Sequence, residues 1–170
     1  MHVGDQKGPA VVRKSGERKI VIKRHLRAPR ELVWEAHHNP DHVSKWWGLR
    51  GARNHITEID LRPGGRWRFG QRNADGSEVI FCGTYLELVA PSHFTYTKGW
   101  PATSPLRAGG APESGDSTIT ISFEETGMGT LVTLTCEFSS EELRDRVAEQ
   151  GMDRLQESYD RMDNLLATLV

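Results

Sequence analysis

Seven histidines, two cysteines and a few scattered carboxylates are the side chains that could do chemistry in this chain of 170 residues. His38 and His42 stand four apart, a spacing that turns two imidazoles toward one metal ion on a helix face. Pro40 lies between them and interrupts the helix such a pair needs, so the spacing argues against a metal site. His55 opens a strand-like run and is the histidine read as a polar group for an interior cavity, with a solvated or structural role as the competing reading. Cys82 and Cys136 sit far apart in apolar runs and read as buried free thiols, with a disulfide between them as the lesser alternative. Glu35, Glu58, Asp60 and Glu87 have no evident partners. No G-x-S-x-G, P-loop or dinucleotide glycine pattern occurs, and Gly64-Gly65 leads into a strand where a phosphate cradle needs a helix. These residues define no catalytic group, no metal site and no cofactor.

The aromatic residues make the stronger pattern. Trp46, Trp47, Trp67, Phe69, Phe81, Tyr85, Phe94, Tyr96 and Trp100 are concentrated in the middle of the chain. Trp67 and Phe69 share one strand face, and Phe94, Tyr96, Lys98 and Trp100 share another. Such a set is either a wall for an apolar or aromatic ligand or the packing of an ordinary core.

Composition narrows the classes. Apolar residues make up 36% and charged residues 26%, a balance usual for a globular domain, and the formal net charge is -1. Without a basic surplus, nucleic acid is a poor partner. Arg24 and Arg27, and again Arg66, Arg68 and Arg72, read as solvated strand faces. No stretch reaches the roughly 18 apolar residues of a membrane span. Met1 to Gly16 lacks the apolar segment of a signal peptide, so a cytoplasmic location is expected by default.

The elements that must position these residues follow from periodicity. Residues 1–17 read as a flexible tail and 18–170 as a single domain. Lys19 to Leu26 is a strand, followed by two short helices over residues 29–38 and 41–47. Strands then dominate: 56–61, 66–69, 79–89 with Gly83 as a bend or bulge, 94–100, 118–124 and 130–138. The loop 101–116 is long for a compact domain and reads as mobile or functional. Ser139 or Ser140 caps a terminal helix whose stripe runs through Leu143, Val147, Gly151, Leu155, Tyr159, Met162, Leu166 and Leu169, with a kink or a division expected at Gly151. The expected fold is α+β, a curved antiparallel sheet of six to seven strands wrapped around that helix, with a cavity between them.

Trp46-Trp47-Gly48, the run Asp60 to Phe69 (DLRPGGRWRF) and Gly83-Thr84-Tyr85-Leu86-Glu87-Leu88 resemble the AHSA-like branch of the SRPBCC, or START-like, superfamily. The resemblance extends from about Lys19 to Leu169 and implies the helix-grip fold also seen in the birch-pollen allergen. Such proteins usually carry Trp just after the helix glycine, where this chain has Met152, a replacement that would reshape the cavity wall together with Leu155 and Tyr159. The leading functional expectation is therefore binding of a small hydrophobic or aromatic molecule. The resemblance also implies two alternatives, a cofactor of a chaperone ATPase and a polyketide-cyclase-like enzyme. Exposed hairpin edges and the long loop would suit a homodimer.

Overall fold

A computed structural model describes residues 11–15, 18–48, 53–99, 117–150 and 152–169. Its strands are β1 (Val11–Ser15), β2 (Lys19–Leu26), β3 (Arg53–Ile59), β4 (Arg66–Arg72), β5 (Glu78–Val89), β6 (His93–Lys98), β7 (Ser117–Thr126) and β8 (Gly129–Phe138). Helices α1 (Arg30–His38) and α2 (Pro40–Trp46) follow β2, and α3 (Glu141–Gln150) and α4 (Met152–Leu169) follow β8. The strands form one sheet in the order β1-β2-β8-β7-β6-β5-β4-β3, every neighbouring pair antiparallel.

Period-two alternation gives this sheet its inner face. On β2 the residues Ile20, Ile22, Arg24 and Leu26 are buried, and on β8 Val132, Leu134, Cys136 and Phe138 are. On the helical side, Leu143 and Val147 of α3 and Tyr159, Met162 and Leu166 of α4 are buried. Each large apolar side chain enclosed in this way is worth roughly 1.5–3 kcal/mol. The helix starts are set locally. Ser140 Oγ accepts the Leu143 N–H at 3.1 Å ahead of Glu141 and Glu142, and Asn39 Oδ1 accepts the Asp41 N–H at 3.0 Å with Pro40 in the first turn of α2.

Three expectations are revised. Val11–Ser15, within the segment read as a tail, pairs with β2 and adds an eighth strand to the six or seven expected. Gly83 is no bulge: the register shifts fall between Tyr85 and Glu87 and between Asn54 and Ile56. At Gly83 the neighbouring strand passes so close that a Cβ would collide with the Thr97 carbonyl and the Trp67 indole nitrogen. Arg24 is not solvated; its side chain is only 1% exposed. Of the two alternatives expected at Gly151, the division is the one seen: the apolar stripe is carried by two helices, while Gly151 itself, like the loop 101–116, lies outside the described residues.

Candidate functional site

The Trp-Trp-Gly segment ends α2 and is fastened to α4 through its backbone. Arg161 Nε donates to the Trp46 carbonyl at 3.1 Å, and its Nη2 donates to the Gly48 carbonyl. Ser158 Oγ donates to the same Gly48 carbonyl at 3.0 Å and accepts the Gly48 N–H at 3.1 Å. Asn54 Nδ2 of β3 donates to the carbonyls of Ser44 at 2.7 Å and Trp47 at 2.9 Å. The carbonyls left over at the end of α2 thus find donors, one of them the cation that suits a helix C-terminus. Gly48 has φ +96°, a conformation that favours glycine, and a Cβ there would also have to displace the Gln71 amide.

Inside this frame lies a buried polar cluster. His37 Nδ1 donates to the Val33 carbonyl at 2.7 Å, which leaves Nε2 as an acceptor for the Tyr159 hydroxyl at 3.0 Å. Trp46 stacks on Tyr159 with ring centroids 5.8 Å apart and donates its indole N–H to the Ala36 carbonyl at 2.7 Å. His38 Nδ1 donates to the Trp34 carbonyl at 2.8 Å, and its ring packs 4.3 Å from both Trp34 and Phe94. Desolvation holds His37 down to about 3 and His38 down to about 4, so both are neutral at ordinary pH.

A second set of aromatics occupies the inner face of β4, β5 and β6. The Trp47 ring meets the rings of Phe69 and Phe81 edge-on, each at 5.1 Å. Trp67 leans on Phe69 at 4.9 Å and on Tyr96 at 5.7 Å, and Tyr96 stacks on Phe94 at 5.4 Å. Tyr85 pairs with Tyr96 across the strands. Lys98 continues the same face, its Nζ 5.1 Å from the Phe81 ring centre and 6.0 Å from that of Trp47. Burial, joined by Tyr159, Cys136 and Tyr85, pushes the Tyr96 phenol far above its usual range, and burial pushes the Cys136 thiol up to about 12. Neither group ionises near neutrality.

Packing differs between the two ends of the inner face. Val132, Leu143, Met162 and Leu166 are 0% exposed under the helices. Towards β6, Cys136 and Phe69 keep 8% and Ile119 keeps 7%, while Phe81, Tyr96 and Lys98 are half-buried.

The residues singled out from sequence separate accordingly. Trp47, Trp67, Phe69, Phe81, Tyr85, Phe94 and Tyr96 come together; Trp46 and Tyr159 belong to the packed cluster, and Leu155 packs half-buried against the core. Trp100 and the side chain of Met152 lie outside the described residues. His55 turns away from this interior: its Nε2 meets Glu78 Oε2 at 2.8 Å, beside the exposed pair of Arg72 with the same carboxylate. The interior polar groups that sequence reasoning did not place there include His37, His38 and Arg24. Arg24 Nη2 reaches Asp160 Oδ1 at 2.8 Å, while its Nε and Nη1 have no hydrogen-bond partner.

A long antiparallel sheet closed on its inner side by C-terminal helices, with two short helices after the second strand, is a helix-grip fold. Solved structures share it. A protein of Rhodobacter sphaeroides superposes with a TM-score of 0.82 at 19% identity, over 95% of this chain and 99% of its own. One of Mycobacterium smegmatis gives 0.79 at 22%, over 95% and 100%. One of Chromobacterium violaceum gives 0.71 at 27%, over 88% and 96%. No curated protein matches the chain. Residues 27–167 match the family described as Activator of Hsp90 ATPase homolog 1-like protein, and the chain belongs to that family.

Proposed function

We propose that the protein binds a small, largely apolar aromatic molecule between the inner face of β4–β6 and the helices. The observation that supports this most is the residual accessibility of Phe81 and Tyr96, aromatic side chains that share a strand face with fully enclosed neighbours. A core built only for stability closes such surface, because each square ångström of apolar area left accessible forgoes about 25 cal/mol. Thermal unfolding with a panel of aromatic polyketides, flavonoids and fatty acids tests the reading. A true ligand at a hundredfold excess over its Kd adds about 2.7 kcal/mol of stability. A panel that leaves Tm unmoved counts against it.

The family description supplies a second reading, activation of a chaperone ATPase. Purified Hsp90-type chaperone from the same cell should then turn over ATP faster when the protein is added; an unchanged rate removes this role. The cyclase-like alternative needs an interior acid–base group near neutrality, and His37 and His38 titrate far below it.

A further inference from the structure

We infer that the molecule held on this face carries a neutral carbonyl group, whose oxygen accepts hydrogen bonds from the Tyr85 and Tyr96 phenols. The inference rests on the binding reading above and adds the chemical class of the ligand, an aromatic ketone.

Tyr85 on β5 and Tyr96 on β6 stand directly opposite each other, so their side chains leave the sheet side by side on its inner face. The same row runs on through Ile119, Cys136 and Ile20, whose side chains carry no oxygen. Trp67 stands edge-on to the Tyr96 ring at 5.7 Å, and Phe94 stacks on it at 5.4 Å. The two phenols therefore project among rings and aliphatic groups, and Tyr96 keeps accessible surface there.

A phenol so placed calls for a hydrogen-bond partner. Among the described residues neither the Tyr85 nor the Tyr96 hydroxyl has one. The polar groups near them are already spent. The Trp67 indole N–H donates to the Thr97 carbonyl at 3.2 Å, and the Tyr159 hydroxyl donates to His37 Nε2 at 3.0 Å. His38 Nε2 is an unpaired acceptor, but it is sealed among rings and neither phenol bonds to it. Burial keeps both phenols protonated well past neutral pH, so each offers an O–H to whatever lies on the rings. A ligand made only of hydrocarbon would strand both donors. A ketone oxygen has two lone pairs, one for each phenol, and brings no charge to desolvate.

9-Fluorenone and fluorene decide the matter, because they share one flat tricyclic shape and differ by a carbonyl against a methylene. The protein should bind the ketone about tenfold more tightly, a ratio within reach of two ordinary hydrogen bonds. In the infrared, the carbonyl stretch of bound fluorenone should fall below its frequency in hexane. Tyr85→Phe and Tyr96→Phe should each weaken both effects, and the double variant should abolish them while keeping its affinity for fluorene. Should the double variant lose fluorene too, the single variants decide. Equal affinity of the unmodified protein for the two probes, or a carbonyl frequency as high as in hexane, overturns the inference without any variant. So does a preference that survives both substitutions. If fluorene alone binds, the binding reading stands and the carbonyl falls; if neither probe binds, that reading has failed and the inference falls with it.

Discussion

Charging His37 or His38 inside the fold is harder than charging either in the unfolded chain, where imidazole titrates near 6.5. Both folded-state values are depressed, so below pH 6.5 the unfolded chain binds the extra protons. Stability is full above that pH and is lost as pH falls toward 4 and then 3, by at most about 1.4 kcal/mol per pH unit for each histidine. Urea unfolding from pH 7.5 to 4 should show that loss, and His38→Phe should flatten it. Tyr159→Phe removes the donor to His37 Nε2 and strands a buried acceptor, at about 1–3 kcal/mol by the same measurement. Arg24 gives the opposite asymmetry. Asp160→Asn leaves an enclosed guanidinium facing only a neutral amide; because Asp160 itself is largely exposed and screened, the loss should be about 1–2 kcal/mol, and Arg24→Met should cost less. The burial of Arg24 was not legible in the sequence. A charged residue on an alternating strand carries the signature of a solvated face, and only the arrival of Asp160 from a helix 136 residues away reverses it.

At the scale of elements, period two located seven of the strands and the capping residues located the helix starts, because those signals are local. The role of Gly83 was not local. A glycine in a strand signals a bulge or a close approach, and the distance to Thr97 decides between them only in three dimensions. Gly83→Ala should therefore destabilise by about 1–3 kcal/mol or more, read as a fall in Tm, since the obstacle is backbone and cannot step aside. Strand β1 was missed because a short edge strand is recruited by the open side of β2 and needs little patterning of its own. The aromatic site was half legible for a related reason. Alternation assigned Trp67, Phe69, Phe94 and Tyr96 to shared faces, but nothing in the spacing separates Trp46, consumed by Tyr159 and Ala36, from its neighbour Trp47.

For the whole molecule, the sheet order sets a gradient of protection. β7 and β8 are interior strands that pack under the helices, and β1 and β3 are its edges. Amide hydrogen exchange should be slowest in β8 around Leu134 and fastest at the two edges. Comparable protection in β3 and β8 would contradict this layering. Among the described residues no helix is long and apolar enough to cross a membrane.

The pairing of β2 with β8, from Lys19 opposite Glu137 to Leu26 opposite Thr130, has a consequence for biosynthesis. A ribosome delivers β2 more than a hundred residues before its partner. Ile20 and Ile22 must wait through most of translation with one strand edge open, at 5–20 residues per second for several seconds or longer. Nascent chains stalled before residue 129 should therefore engage trigger-factor-type holdases and resist compaction, and those stalled well past 138 should let go.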